Sequence, residues 1–338
     1  MTIADSGPYS QSLDYGIIVI SKQFSGFFRS QFTRLPYPAK IFAGKTIIIT
    51  GSNSSLGLAA AKHLARLSAH KLIIAVRTPS KGDVAVSCIQ KPVPDCTTVF
   101  EVWPLDLESH ASIAAFVQRC QALERLDVVV LNAGVMTEEW VLVEGNERQV
   151  AVNVVGTMVL GVGLLPKMRE TARLDGGTPV MTFTGSFTHW MTSFPQRTEK
   201  RIFEGLKREK KDARMDDRDR YKVSKLMQLF CVRELAVRVT ASDKDGKIIV
   251  STVNPGFAIF YTALKLTIAR SVEVDSRTLL NAAEGGEETH GAYLNDCEIG
   301  RQSDFVFSEE DAATQKRTWA ELSDILERIE PGIMENIQ

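Results

Sequence analysis

The sequence predicts an α/β fold, a doubly wound parallel sheet forming one domain over residues 45–338, behind an N-terminal arm of residues 1–44. Three observations predict it. Strand-length apolar runs recur from Thr46 to Val253 and alternate with stretches whose apolar residues fall at helical spacing. The first run breaks at a glycine turn that opens directly into a helix, the start of a βαβ unit. No internal repeat or second domain interrupts the alternation, and the crossovers are expected to be right-handed.

The elements follow in chain order. Thr46 to Thr50 is a β-branched run, expected as a strand buried on both faces. Gly51 ends it, a polar turn through Asn53 and Ser55 follows, and Leu56 to Leu67 reads as a helix containing Gly57. Such a turn aims backbone N–H groups and the positive end of a helix at one place, which suits a pyrophosphate. Glycine also merely ends strands, so the turn alone leaves both readings open. Lys71 to Val76 is the second strand, ending at Arg77, with Lys81 four residues on. A basic residue at that strand tip suits a ribose 2′-phosphate, where an acidic one would suit a free hydroxyl. The expected cofactor is therefore NADP(H).

Thr97 to Trp103 gives strand three, Pro104-Leu105-Asp106-Leu107 a turn, and Ser109 to Leu123 a helix. Asp127 to Leu131 is strand four, ending in the small residues Asn132, Ala133 and Gly134, where backbone can pass close to a ligand. Gly145 to Met168 reads as a long helix carrying Asn153. Val180 to Thr184 is strand five, followed by Gly185 and Ser186; Ile248 to Val253 is strand six, closed by Asn254-Pro255-Gly256. Between strands five and six, about residues 195–220 form an insertion dense in both charges, expected as a solvated loop with a short helix, with a flap over the active site as the second reading. About residues 257–285 are expected to cover the substrate.

Composition excludes other classes. Net charge is −1 and pI about 6.6, so no broad basic surface points to nucleic acid or an anionic membrane. Five scattered cysteines, Cys88, Cys96, Cys120, Cys231 and Cys297, lack metal-ligand spacing and fit a reducing compartment. No leader pattern opens the chain, and the apolar stretch Tyr15 to Ile20 is too short for a span. A soluble cytoplasmic protein is expected. In the arm, Ile18, Phe24, Phe27, Phe28 and Phe32 are expected on one face of a short helix packed on the domain, with Pro36 and Pro38 as a stiff joint.

The chemistry-bearing stretch is Tyr221-Lys222-Val223-Ser224-Lys225, opening an amphipathic helix. Tyrosine and lysine at i and i+4 share one helix face. A free phenol, with a pKa of about 10, is a poor acid–base group near neutrality. A nearby ammonium is expected to lower that value and so permit proton exchange. No Ser-His-Asp arrangement, zinc spacing or carboxylate pair competes with it in the sequence.

Taken with the glycine turn, Asn132-Ala133-Gly134, Asn153 and Ser186, this order resembles a short-chain dehydrogenase/reductase, a Rossmann-fold family, from Lys45 to about Gly256. Ser186-Phe187-Thr188-His189-Trp190, Arg220 to Leu226 and His290-Gly291-Ala292-Tyr293 are similar to the retinol-dehydrogenase-like branch and to reductases of fungal natural-product pathways. The resemblance implies that Tyr221 exchanges the proton and that Lys225 tunes it and binds ribose. Ser186 would hold the substrate oxygen, and Asn153 would sustain a proton relay. Gly51, Asn53, Ser55, Leu56 and Gly57 would hold the pyrophosphate. Asp106 and Leu107 would border the adenine, Asn132 to Gly134 floor the cofactor site, and Pro255 and Gly256 flank the nicotinamide.

Two positions depart from the family pattern. Ser55 stands where the turn has its middle glycine, and Phe260 stands where a Thr or Ser binds the carboxamide, with Thr262 as the candidate substitute. His189, Trp190, Phe257 and Phe260 are the candidate substrate wall, while Phe183, Phe187 and Phe194 read as core or wall. The leading expectation is NADP(H)-dependent interconversion of a ketone and a secondary alcohol on a small lipophilic substrate. Two others stay open: a non-redox isomerase, dehydratase or cyclase using Tyr221, and a non-catalytic nucleotide-binding scaffold. A homo-oligomer is open too, because the long helices that pair in many family members would look similar in a monomer.

Overall fold

The structure is a computed structural model. It describes residues 30–208, 217–256, 270–302 and 309–337. An eight-stranded sheet runs in the order β10-β9-β8-β7-β4-β1-β2-β3. Its strands are β1 (Thr46–Thr50), β2 (Lys71–Val76), β3 (Val99–Pro104), β4 (Val128–Leu131), β7 (Val180–Thr184), β8 (Ile249–Asn254), β9 (Tyr293–Asn295) and β10 (Glu298–Ile299). A separate two-residue hairpin pairs β5 (Leu142–Val143) with β6 (Asn146–Glu147). Every neighbouring pair in the large sheet is parallel except β9 with β10. The fold is the expected doubly wound Rossmann sheet.

Strand alternation builds two cores. Ile48, Ile73, Val129, Met181 and Val250 point to one face, against α3 (His110–Gln121), α4 (Arg148–Asp175), α6 (Asp217–Ala241) and α8 (Glu309–Ile329). Ile47, Ile49, Leu72, Ile74, Val128 and Val130 point to the other, against α1 (Ser55–Arg66), α2 (Pro79–Gln90) and α7 (Val272–Glu284). This two-sided burial is why the strand sequences are apolar runs and not alternating ones.

The chain winds outward from β1 through β2 to β3, then returns to the other side of β1 with β4. That reversal leaves a crevice at the carboxyl ends of β1 and β4, where doubly wound sheets bind ligands. The glycine turn and Asn132-Ala133-Gly134 flank it.

Several elements differ from expectation. The long helix starts at Arg148, because β5, its turn and β6 precede it, and continues to Asp175. Its segment Ala151–Gly156 is a π-helix. Thr157 N–H reaches back to Val152 O, a wide turn of the kind found at functional sites. The helix carrying Tyr221 begins at Asp217, so Tyr221 lies one turn inside it and does not open it. Strands β9 and β10, too short to give a sequence pattern, extend the sheet edge.

The charged insertion is not a free solvated loop in its described part. Ile202, Phe203 and Leu206 of α5 (Ile202–Leu206) are buried. The Glu321 carboxylate of α8 accepts the N–H groups of Ile202 and Phe203 at 2.9 and 3.1 Å, closing the helix start.

The described part of the arm is a strap across α1 and α7. Leu35 and Phe42 are buried, Arg277 donates to Leu35 O, and Arg66 donates to Pro38 O. Tyr37 lies against both guanidinium groups, 4.4 and 5.0 Å from its ring centre. Phe32, expected on a packed face, is 72 % exposed. Ile18, Phe24, Phe27 and Phe28 lie outside the described residues. Among the described helices, Arg148–Asp175 is long and apolar enough to cross a membrane, but 94 % of its apolar window is buried inside the protein.

Candidate active site

The glycine turn is built by close approach. A Cβ on Gly57 would lie 2.6 Å from Gly51 O and 2.8 Å from Asn132 Nδ2, which a real side chain cannot do. Gly51 has φ +66°, and its Cβ would lie 3.1 Å from Ala133 Cα. Thr50 Oγ1 accepts the N–H groups of Asn132 and Ala133, and Asn132 Nδ2 donates to Thr50 O at 3.0 Å. Asn132 is therefore committed to locking the β1 and β4 ends together under the turn. Ser55 is exposed with φ +49°, a left-handed backbone that favours glycine.

Across the crevice, Gly134 touches the catalytic-type residues. A Cβ there would lie 2.9 Å from Asn153 Oδ1 and 3.6 Å from Lys225 Nζ. Asn153, fully buried in the π-helical turn, exchanges two hydrogen bonds with the Val135 backbone and donates to Ser224 Oγ at 3.0 Å. Gly156, one turn on, lets that segment meet the Asp106–Leu107 turn, since its Cβ would lie 2.5 Å from Leu107 O.

Lys225 is buried and donates to Thr184 O at 2.7 Å and to Gln228 Oε1 at 3.3 Å. Burial lowers its pKa to about 8. Gln228 in turn donates to Asn153 O at 2.9 Å, so its amide links lysine and asparagine. Sequence reasoning missed Gln228. The available signal was a polar residue at i+3 from Lys225 within an apolar helix run.

Tyr221 is half-buried, with Lys225 Nζ 5.9 Å from its ring centre. Its phenol is raised above the ordinary range by burial, and hydrogen bonding to Ser186 pulls it partly back. This corrects the expectation of a lowered phenol. Desolvation sets the direction, and the Lys225 ammonium is turned toward Thr184 O. In the resting protein Tyr221 holds its proton. Ser186 Oγ accepts from Thr188 N–H at 3.2 Å and from Thr188 Oγ1 at 2.9 Å.

Residues 45–181 match the family model of the short chain dehydrogenases. A short chain dehydrogenase/reductase of Cryptosporiopsis sp. is 39 % identical over 325 residues, 92 % of this chain and 99 % of that one. A short chain dehydrogenase of Emericella nidulans is 40 % identical over 289 residues, 80 % of this chain and 90 % of that one. The chain belongs to the short-chain dehydrogenase/reductase family. Two solved structures share its fold at a TM-score of 0.56. One, an NADH-dependent reductase complexed with NAD, is 18 % identical and spans 77 % of this chain and 98 % of its own. The other, a Pseudomonas aeruginosa RhlG/NADP active-site complex, is 19 % identical and spans 77 % and 97 %.

In this short-chain dehydrogenase/reductase the remaining candidates fall at the same sheet end, with varied surroundings. Arg77 is 68 % exposed and lies 3.7 Å from Glu108, which also faces Arg148 at 3.6 Å. Lys81 is exposed. The Asp106 carboxylate accepts Glu108 N–H at 3.0 Å, and Leu107 is buried. Gly256 has φ +98°, and its Cβ would lie 2.6 Å from both Arg270 Nη2 and Asp275 Oδ1. Asn254 ties this corner together, accepting from Phe187 N–H and Gly256 N–H and donating to Asn295. Phe257, Phe260 and Thr262 lie outside the described residues.

His189, expected at the substrate, is buried at 2 % exposure with Nδ1 2.7 Å from Ser186 O and its ring edge-on to Tyr293. Burial lowers its pKa to about 4. The neutral ring donates from Nδ1 to the Ser186 carbonyl and braces the backbone there. Trp190 beside it is half-buried.

Proposed function

We propose that this chain is an NADP(H)-dependent oxidoreductase that interconverts a ketone and a secondary alcohol on a lipophilic small molecule. Fungal natural-product chemistry is the expected setting, and the cytoplasm the expected location. The observation that carries this reading is one juxtaposition. Ser186 lies near enough to Tyr221 to pull its phenol down, Lys225 is buried one helical turn from Tyr221, and Gly134 leaves the space beside Lys225 Nζ free of side chain.

The crevice fits a dinucleotide because Gly51, Gly57 and Gly134 each leave space that a Cβ would fill against backbone or site residues. Gly51, Asn53, Ser55, Leu56 and Gly57 would hold its pyrophosphate at the start of α1. Arg77 and Lys81 would face the 2′-phosphate, and Asp106 and Leu107 the adenine. Asn132, Ala133 and Gly134 would floor the site, with Pro255 and Gly256 beside the nicotinamide. When bound, that ring supplies or accepts the hydride.

The chain's own residues handle the proton. Ser186 Oγ–H donates to the substrate oxygen, stabilising negative charge as it develops there. Tyr221, protonated at rest, gives its proton to the same oxygen during ketone reduction and takes it back during alcohol oxidation. Lys225, with two of its three protons committed to Thr184 O and Gln228 Oε1, has one left for the phenolate and ribose side. Exposed Met136 and Met191, which follow Gly134 and Ser186 by two and five residues, support a lipophilic substrate.

The test is calorimetric titration with NADPH and NADH, followed by turnover of lipophilic ketones monitored by NADPH absorbance and mass spectrometry. Dinucleotide binding with NADPH consumption is the expected result. Products formed without consumption would replace this reading with a non-redox one, and no binding would remove it.

A further inference from the structure

We propose that Gln228 is a positioning residue that holds the Lys225 ammonium in place and in its charged form, by bridging it to the backbone of the π-helical turn. The inference rests on the role given above to Lys225 and deepens it.

Gln228 is buried on α6, nearly one turn after Lys225. Its Oε1 lies 3.3 Å from Lys225 Nζ, and its Nε2 lies 2.9 Å from Asn153 O. Chemistry assigns the two ends of the amide without reference to hydrogen positions. A backbone carbonyl only accepts, so the NH₂ end faces Asn153. The oxygen end is left for Lys225, whose ammonium only donates. Turning the amide over would set oxygen against oxygen and NH₂ against ammonium, so the bridge has one orientation.

The anchor is itself held. Asn153 sits in the π-helical segment Ala151–Gly156, where its Oδ1 accepts Val135 N–H at 2.8 Å and its Nδ2 donates to Val135 O at 2.9 Å. The same Nδ2 donates to Ser224 Oγ at 3.0 Å, and Ser224 Oγ donates to Tyr221 O at 2.8 Å. Backbone partners fix the direction of each of these bonds. The π-helical turn is thus tied to α6 at two points one turn apart, Ser224 and Gln228. Lys225 lies between them.

The consequence falls on the lysine. Burial lowers its pKa to about 8, with no charged partner among the described residues to offset it. Tyr221, its ring centre 5.9 Å from Nζ, is the titratable neighbour on the same helix, and β7 presents the neutral Thr184 O at 2.7 Å. A buried ammonium without an ion-pair partner keeps its charge through its hydrogen-bond acceptors. Here those are Thr184 O and Gln228 Oε1. Without Gln228 one acceptor is left, so the proton is lost at lower pH and the ammonium can swing about its remaining bond. Both changes act on the group that would meet the ribose and the phenolate.

The test uses Gln228→Met, which keeps the length and removes the acceptor, and Gln228→Glu, which keeps the acceptor. Lys225 is titrated in the resting full-length protein by NMR of ¹³Cε-labelled lysine, assigned with Lys225→Met. In Gln228→Met the Lys225 midpoint should fall by about one to two pH units, as expected for one lost hydrogen bond to a charged group. In Gln228→Glu it should stay at or above the wild-type midpoint. Turnover should follow the charge. The kcat of Gln228→Met relative to wild type should drop roughly tenfold as pH rises from about 6 to about 8, where a loss of packing alone would be flat. A Lys225 midpoint unmoved in folded Gln228→Met, or lowered in Gln228→Glu, overturns the inference; if Gln228→Met does not fold, Gln228→Glu decides. Because the titration needs neither substrate nor dinucleotide, the two ideas fail separately. A shifted midpoint without ketone turnover sinks the proposed function alone, and turnover with an unmoved midpoint sinks the role of Gln228 alone.

Discussion

Replacing Ser55 with glycine should stabilise this protein, against the usual cost of glycine in a helix. Ser55 is the first residue of α1, yet its φ of +49° is left-handed. An L-residue in that conformation costs roughly 1–2 kcal/mol, because its Cβ crowds the following carbonyl oxygen. Glycine removes that cost but adds roughly 0.5–1 kcal/mol of entropy to the unfolded chain. The net expected gain is up to about 1.5 kcal/mol, or roughly tenfold in the folding equilibrium. Urea unfolding of wild type, Ser55→Gly and Ser55→Ala without dinucleotide would measure it, with unchanged m-values. Ser55→Ala keeps the Cβ and loses only the hydroxyl, so it should stay close to wild type. A Ser55→Gly no more stable than wild type would refute the strain argument. The same variants decide what Ser55 does to the cofactor. Crowding predicts tighter NADPH binding in Ser55→Gly alone, whereas a phosphate-bonding hydroxyl predicts weaker binding in both.

The remaining predictions concern the site. Tyr221→Phe should lower kcat by about two to four orders of magnitude while calorimetric NADPH affinity is largely kept; near-normal turnover would remove Tyr221 from the mechanism. Arg77→Ala should erase most of an expected NADPH-over-NADH preference of roughly ten- to a hundredfold. Glu108→Gln should enlarge that preference, because Glu108 lies 3.7 Å from Arg77 and competes with a 2′-phosphate for it; equal affinities in wild type would show that Arg77 does not read the phosphate. Lys225 gives a pH signature. Its pKa drops from 10.5 to about 8 on folding, so the buried ammonium is penalised below that pH and the penalty fades as pH rises toward 10.5. Relative to Lys225→Met, wild-type stability should therefore climb with pH across this window, at a slope approaching 1.4 kcal/mol per unit; a flat difference in urea unfolding would show that Lys225 is not desolvated.

Much of the fold was legible because burial on both faces of the sheet writes itself into residue type. Thr46–Thr50 and Val180–Thr184 are apolar or β-branched throughout, as is Lys71–Val76 after its opening lysine, and each became the strand it spelled. Helix starts were harder to place. Nothing local distinguishes a helix beginning at Gly145 from one beginning at Arg148. The difference is made by the two-residue hairpin and by Glu147, whose buried carboxylate accepts the N–H groups of Gln149 and Val150. The insertion holds the short helix expected of it, but its burial was hidden for a similar reason. Its charges are abundant, but Ile202, Phe203 and Leu206 find a partner surface in a helix more than a hundred residues downstream.

The residue types of the site were readable, but their states were not. Tyrosine and lysine four apart on a helix do share a face, and that spacing alone suggests an ammonium lowering a phenol. The structure shows Lys225 buried and Tyr221 half-buried, and desolvation acts on each toward its neutral form, raising Tyr221 and lowering Lys225. Long-range partners set the lysine's direction: Thr184 O at the end of β7 takes one proton, and Gln228 takes another while holding Asn153 O. These contacts span 41 and 75 residues for Thr184 and Asn153, so no local pattern could carry them. A pair wired this way does not tune itself at rest. Lys225 would favour the phenolate only once its remaining proton turned toward Tyr221, and the side chain that would stand nearest its ammonium is missing at Gly134, where a Cβ would lie 3.6 Å from Nζ.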